Sequence, residues 1–113
     1  MSGKYYKELR KLSQAKKISS LLPTIAQYRT AKALYNFESA DIKGIDLIAP
    51  LQDKGIMCLI NTKDIIGWKI FFFGEYEAGT NNILKKYLKK DDVVIEAGAN
   101  MGSETLLIAE IVK

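Results

Sequence analysis

Hydrophobic residues recur at helical spacing along the first third of the chain. The spacing predicts helical structure over about residues 3–36, as two helices or as one helix with a break near residues 18–20. Ser20 is the expected N-cap after the break, and Pro23 should then fall in the first turn, where its missing N–H costs nothing. The apolar positions before and after the break are Tyr5, Leu9, Leu12, then Leu21, Ile25, Tyr28 and Tyr35.

The pattern changes between residues 42 and 74. Segments 45–49, 56–61 and 67–73 are rich in β-branched and aromatic residues, which is typical of strands. The segments between them, Pro50–Gly55 and Asn61–Asp64, are short and turn-like, so we expect antiparallel neighbours. Because residues 67–73 only half alternate, we expect both faces of that strand to be covered.

Residues 80–113 predict a helix, a strand and a second helix. Asn82–Leu88 has helical spacing, and Val93-Val94-Ile95 is a short apolar run typical of a strand buried on both faces. Residues 103–113 are apolar nearly all round a helix, so we expect them to pack against a sheet. A parallel strand needs a crossover and a return strand, and none follows this helix before Lys113. The sequence therefore predicts the front of a larger domain.

Positive charge is concentrated at one end of the chain. The 113 residues carry 17 Lys or Arg and 13 Asp or Glu, a net charge of +4, whereas residues 1–32 carry eight basic residues and only Glu8 as an acid. Three interpretations stay open: a solvated amphipathic helix packed on the domain, which is favoured, a peripheral membrane contact, and a nucleic-acid patch. The nucleic-acid patch is the weakest of the three, so we expect no nucleic-acid partner.

Composition excludes several chemistries. The chain has no histidine and one cysteine, Cys58, so zinc and haem sites are not expected and histidine-dependent catalytic triads are excluded. Cys58 lies in an apolar run and is expected to be a buried structural thiol. The first twelve residues are basic without the apolar core of a secretory signal, and no run approaches the ~18 apolar residues of a membrane span. We therefore expect a cytoplasmic protein.

One segment carries candidate chemistry. The turn Glu96-Ala97-Gly98-Ala99-Asn100-Met101-Gly102 follows the predicted strand and precedes the predicted helix. Its first glycine allows close approach of a ligand, and its second lets the helix start pack against the strand and can supply a positive φ. A helix N-terminus then offers free N–H groups to an anion at the sheet edge where α/β proteins bind ligands. The lysine of a P-loop is absent, and the dinucleotide-binding pattern fails at Asn100 and Ser103. Glu96 would repel a pyrophosphate but suits a cation such as the ammonium or sulfonium of S-adenosylmethionine. A purely structural βα turn is the alternative.

These residues resemble a known family. With Asp92-Val93-Val94-Ile95 before it and Thr105-Leu106 after it, the turn resembles motif I of class I methyltransferases, and its Gly-Ala-Asn-x-Gly form is especially similar to the FkbM family. Gly74-Glu75-Tyr76-Glu77 is also similar to that family, so the resemblance covers about residues 56–113. It implies S-adenosylmethionine-dependent methyl transfer to an oxygen of a glycan or small-molecule acceptor.

The residue patterns and the resemblance, which does not extend to the first 55 residues, together give a fold and a division of the chain. The fold is α/β, with N-terminal helices, short antiparallel strands and the first strand-turn-helix of an incomplete Rossmann-like methyltransferase sheet. Residues 1–41 would be a basic helical segment, and residues 42–113 the truncated start of a methyltransferase-like α/β domain. The family's ribose-binding acid, adenine contacts and catalytic residues are not among these residues. We therefore name no catalytic residue and expect the 113-residue chain alone to be inactive.

The cofactor-binding residues follow from the same resemblance. Glu96 stands where the family more often has aspartate, and Asp91 where glycine is common. The implied residues are Glu96, Gly98, Ala99, Asn100, Met101, Gly102 and Thr105 around the turn, with Tyr76, Glu77 and Thr80 upstream.

A hypothesis from another class stays open. The chain would then be a small, non-catalytic α+β interaction module. Its apolar helix 103–113 would pack on a partner or on a second copy of the chain, as a homo-oligomer.

Overall fold

A computed structural model describes residues 3–52 and 55–113. The described residues form a mixed α/β structure with five helices and one two-stranded antiparallel sheet. The elements are α1 (Gly3–Ser20), α2 (Thr24–Leu34), β1 (Asp46–Leu51), β2 (Ile56–Asn61), α3 (Ile65–Phe73), α4 (Ala78–Tyr87) and α5 (Ser103–Val112). Within these residues, no helix combines the length and the apolar composition that crossing a membrane requires.

The two N-terminal helices confirm the predicted helical zone and the presence of a break, which lies at residues 21–23 rather than at 18–20. The predicted capping was wrong, because α1 continues through Ser20, which is therefore its last residue. Pro23 is itself the N-cap of α2, with φ −55° and ψ 147°, rather than a residue of the first turn. The fixed φ of proline is compatible with this position, and the proline has no N–H to leave unpaired.

The β1–β2 hairpin confirms the first two predicted strands and their antiparallel pairing. Pro50, which was expected to open the turn, lies within β1 opposite Met57. Part of that predicted turn, residues 53–54, lies outside the described residues. The predicted turn after β2 is present, since the N–H of Asp64 donates to the carbonyl of Asn61 at 3.2 Å.

Helix α3 corrects the prediction of a strand over residues 67–73. Asp64 caps the helix by accepting a hydrogen bond from the N–H of Gly67 at 3.3 Å, and Gly74 ends it with φ +77°. The helix is covered on two sides, so nearly every position is apolar and no period is visible in the sequence. The prediction that both faces of the segment are covered was correct.

Two hydrophobic clusters meet on α3, which makes it the central element of the core. One lies between α3 and the α1–α2 pair, and the other between α3 and the hairpin. The first contains Leu12, Ala15, Ala31, Tyr35, Phe37, Ile45, Trp68 and Phe72. The second contains Ala49, Leu51, Cys58, Ile60, Ile66 and Ile70. Cys58 is thus buried, as predicted, and burial raises the pKa of its thiol.

A buried polar network ties α1 to the rest of the core. The hydroxyl of Tyr35 donates to Oε2 of Glu8 at 2.7 Å, and Lys11 Nζ lies 3.2 Å from Oε1. Burial raises the pKa of Glu8, but the hydrogen bonds from Tyr35 and Lys11 outweigh burial, so the pKa lies below its usual value. Thr62 Oγ1 lies 3.4 Å from the same hydroxyl and accepts from the N–H of Ile45 at 2.9 Å. The one acid of the basic N-terminal region is therefore a structural group.

This network predicts a loss of stability at alkaline pH. Burial raises the pKa of Tyr35 to about 12, with Thr62 lowering it and Glu8 raising it further. The folded protein keeps a proton that an unfolded tyrosine releases near its ordinary pKa of 10.0, so the contribution of Tyr35 is full below pH 10 and is lost toward pH 12. We expect this loss to remove at most about 3 kcal/mol from the free energy of unfolding, measured by urea denaturation across this range.

Two phenylalanine variants control that experiment. Tyr35→Phe should flatten the alkaline decline, whereas Tyr87→Phe at an exposed position should leave it unchanged. A decline of the same size in the wild type and in Tyr35→Phe would contradict the assignment.

The last two helices differ from the sequence prediction in extent and burial. Helix α4 begins at Ala78, four residues before the predicted Asn82. Helix α5 is confirmed over residues 103–112, but its predicted burial was too extensive, because only Ser103 and Leu107 are buried. It packs against α4, and its Leu106 contacts the second cluster.

Candidate functional site

Residues 88–95 lead from α4 to the candidate turn. The N–H of Lys89 donates to Oδ2 of Asp92 at 2.7 Å, which fixes a tight charged turn. Asp91 has φ +68°, a left-handed conformation that glycine adopts more readily than other residues. The N–H of Asp91 donates to the carbonyl of Val112 at 2.9 Å. The start of this connection therefore lies beside the end of α5.

The predicted buried strand at residues 93–95 is absent. These residues belong to no helix or strand, and the side chains of Val93 and Ile95 are each 94% exposed. The physical reason is that a strand forms only against a neighbour's backbone, and the one described sheet consists of β1 and β2 alone. Two large apolar side chains consequently face solvent directly before the candidate turn.

The turn itself has the backbone conformation that its glycines permit. Gly98, Asn100 and Gly102 have φ of +71°, +53° and +88°. The N–H of Gly102 donates to the carbonyl of Ala99 at 2.9 Å, which closes the turn just before α5. A Cβ built on Gly98 would meet nothing within 4 Å. The space beside this backbone is therefore open to a ligand.

Glu96 and Thr105 are brought together across the turn. Thr105 Oγ1 donates to Oε2 of Glu96 at 2.7 Å, and both residues are exposed. The hydrogen bond orients the carboxylate toward the start of α5. Gly102 is the N-cap and has no side chain to bond the helix. Among the described residues, none accepts a hydrogen bond from the N–H groups of residues 103–105.

The rest of the turn is accessible. Ala99 and Asn100 are exposed, and Met101 is half-buried against the second cluster. Glu104 lies in the first turn of α5, where its charge interacts favourably with the helix dipole, and its Oε2 accepts from Ser103 Oγ at 3.0 Å.

The three upstream residues that the resemblance implies for cofactor binding lie in different environments. Tyr76 packs against the second cluster, as Met101 does, so the structure brings it to the same part of the core as the turn. Glu77 precedes α4 with φ +55° and lines an open cavity of about 370 Å³ with Tyr28 and Lys69, which includes no residue of the turn. Thr80 is exposed on α4, and no hydrogen bond joins it to the turn in the described structure.

Sequence reasoning missed Asn81. It is 3% exposed, and its Nδ2 donates to the carbonyl of Tyr76 at 2.8 Å and to Oε2 of Glu75 at 3.3 Å. It therefore holds the segment that carries Tyr76. A polar residue in a lysine-rich helix gives no sequence signal of burial.

A second cavity, of about 520 Å³, lies between α1 and residues 41–45. The sequence did not single it out, because its residues come from segments 30 positions or more apart. It is lined by Lys4, Tyr5, Lys7, Glu8, Lys11, Asp41, Lys43, Gly44 and Ile45.

The described residues contain no metal-binding cluster, and no relative identifies a ligand for the turn. Across residues 3–52 and 55–113, no three of the residues that commonly bind metals cluster together. Protein-family models, curated proteins and solved structures give no match to this chain.

Proposed function

We propose that residues 92–112 become the first strand-turn-helix unit of an FkbM-like, S-adenosylmethionine-dependent methyltransferase domain when further strands pair with residues 93–95. The acceptor would be an oxygen of a glycan or small molecule. The observation that carries the proposal is the geometry of the exposed turn. Its two glycines have positive φ, and Glu96 is hydrogen-bonded to the first turn of the helix that follows.

The residues of the turn fit the methionine end of this cofactor. The Glu96 carboxylate is exposed and oriented, so it can face an ammonium group. The N–H groups at the start of α5 can bind the cofactor's carboxylate, since a helix N-terminus favours an anion. The open space beside Gly98 allows the ligand to reach the backbone.

When bound, S-adenosylmethionine supplies the electrophilic methyl group. Glu96 and the α5 amides bind and orient it, and Thr105 keeps the Glu96 carboxylate in place. Tyr76 would border the same end, held by its packing and by Asn81. These residues would align the methyl group of the cofactor with the acceptor oxygen. Such alignment is a large part of catalysis when two reactants must meet in line.

The exposed side chains of Val93 and Ile95 support the same proposal. A run of this composition is typical of a strand in the middle of a parallel sheet. In the proposed domain, further strands pair with residues 93–95 and cover both side chains, and those strands carry the ribose and acceptor contacts. As part of the proposal, we place the protein in the cytoplasm, since the buried free thiol of Cys58 is compatible with a reducing compartment.

Calorimetric titration with S-adenosylhomocysteine tests this function. The sample is the polypeptide in the form in which its source cell makes it. We expect binding, and we expect Glu96→Gln to weaken it on the order of tenfold, because the ammonium group then meets a neutral acceptor instead of a carboxylate. Glu110→Gln is the matched control, since Glu110 lies on α5 but pairs with Lys113. Absence of binding by the folded wild type, or equal weakening by both variants, would contradict the proposal.

A further inference from the structure

The connection between α1 and α2 presents a cluster of aliphatic side chains to solvent. Leu21 is 79% exposed and Ile25 is 92% exposed, with Ile18 and Leu22 beside them in sequence and also exposed. We call these four residues the apolar tip. Single exposed apolar residues are ordinary, but four within eight positions form a patch of the kind that marks an interaction site.

The tip is held in this conformation by its own backbone. The N–H of Leu21 donates to the carbonyl of Ile18 at 3.2 Å, and that of Leu22 to Ser19 at 3.2 Å. The N–H of Ala26 donates to the carbonyl of Pro23 at 2.9 Å, which starts α2. The four side chains are therefore presented on an ordered turn.

The tip is not needed for the packing of the two helices. The helices already bury other residues in the first cluster, namely Leu12, Ala15 and Ala31. The apolar tip is additional hydrophobic surface at the end of the helix pair.

Positive charge surrounds the tip. Lys17 and Arg29 are exposed within about one helical turn of it. Lys16 is exposed too, but its Nζ lies 5.1 Å from the centre of the Phe71 ring on α3. Glu8, the acid among residues 1–32, is buried and hydrogen-bonded within the core, so it does not offset them at the surface. Two acids from outside the helix pair, Glu75 and Glu77, line the cavity beside Thr24. The surface around the tip is therefore basic on the α1 side.

We propose that the apolar tip docks on an anionic lipid bilayer. Leu21 and Ile25 would enter the boundary between headgroups and acyl chains, while Lys17 and Arg29 would lie over anionic headgroups. This combination of aliphatic insertion and basic residues is what the bilayer interface recognises. Nucleic acid accounts for the charge but not for the aliphatic residues, because bases stack on aromatic side chains and Arg planes.

Co-sedimentation of the chain with lipid vesicles tests the proposal. We expect binding to vesicles of phosphatidylcholine and phosphatidylserine, and much weaker binding to phosphatidylcholine alone. Replacing both Leu21 and Ile25 by serine should weaken binding by more than about tenfold, because two aliphatic side chains no longer leave water. Lys17→Gln should weaken it about fivefold.

The hairpin offers a matched control. Ile48 and Leu59 form an exposed cross-strand pair, 65% and 69% exposed, in the hairpin rather than in the basic helices. Replacing both by serine should leave vesicle binding unchanged. Circular dichroism should show that each variant folds, since all four replaced aliphatic side chains are exposed.

Three results would overturn the proposal. One is no binding of the folded wild type to the mixed vesicles. Another is equal loss of binding in the tip and hairpin variants. The third is a stable oligomer in solution that the tip variant dissociates, because a second copy of the chain would then cover the tip.

Discussion

Replacing Gly67 by alanine should lower the free energy of unfolding by about 3 kcal/mol or more. Gly67 lies in the first turn of α3, directly against the end of β2. A Cβ at this position would overlap the backbone carbonyl oxygen of Asn61 and approach its carbon to 2.9 Å. Because the obstacle is backbone, a change of rotamer cannot relieve the overlap. Either α3 or the hairpin must move, and both clusters are packed on α3. Chemical denaturation of the two proteins gives the difference.

Gly79→Ala is the matched control for this prediction. Gly79 lies in α4, and a Cβ there would meet nothing within 4 Å. We expect this variant to gain about 0.5–1 kcal/mol, since alanine loses less entropy than glycine in a helix. A Gly67→Ala protein as stable as the wild type would show that α3 does not lie against Asn61.

Replacing Trp68 by alanine should cost about 3–5 kcal/mol. Trp68 is fully buried in the first cluster, and its ring contacts the rings of Phe37 and Phe72 at centroid distances of 5.2 and 4.9 Å. Its Nε1–H also donates to the carbonyl of Tyr35 at 2.8 Å. The truncation leaves a cavity between α3 and the helix pair, and it leaves that carbonyl unpaired.

Trp68→Phe separates the two effects. Phenylalanine keeps part of the ring contacts but loses the hydrogen bond and some buried volume, so we expect a smaller cost of about 1–3 kcal/mol. Equal losses for Trp68→Ala and Trp68→Phe would mean that ring packing contributes little, contrary to the buried position of this side chain.

The sequence predicted the elements whose pattern is local. The helical spacing of residues 3–36, the strands of the hairpin and the helix after residue 102 all have a clear hydrophobic period or a turn signal. Helix α3 was missed because its apolar run has no period, although Asp64 and Gly74 are recognisable capping residues. For α3, the capping residues were more informative than the composition of the apolar run.

The segment Val93–Ile95 shows a second reason why a local pattern does not determine the structure. Its composition predicts a strand, but strand formation depends on a neighbour that local sequence does not supply. Partners distant in the chain decide whether such a run is paired or left in solvent.

The candidate site was predictable in part. The positive φ expected at Gly102 is present, and Gly98, for which only close approach of a ligand was expected, has a positive φ as well. The Glu96–Thr105 hydrogen bond was not predicted, because it depends on how α5 leaves the turn. The position of Glu77 was not predicted either, because it depends on where α4 begins. Glu77 lines a cavity beside α2.

The most direct test of the central claim is the amide NMR spectrum of the native polypeptide during titration with S-adenosylmethionine. If the turn holds the cofactor, the amides of Gly98, Asn100 and Gly102 and those at the start of α5 should shift. The same titration of Glu96→Gln should need more cofactor to reach the same shifts. An unchanged spectrum at saturating cofactor, or shifts confined to residues away from 96–105, would contradict a cofactor-binding role for this turn.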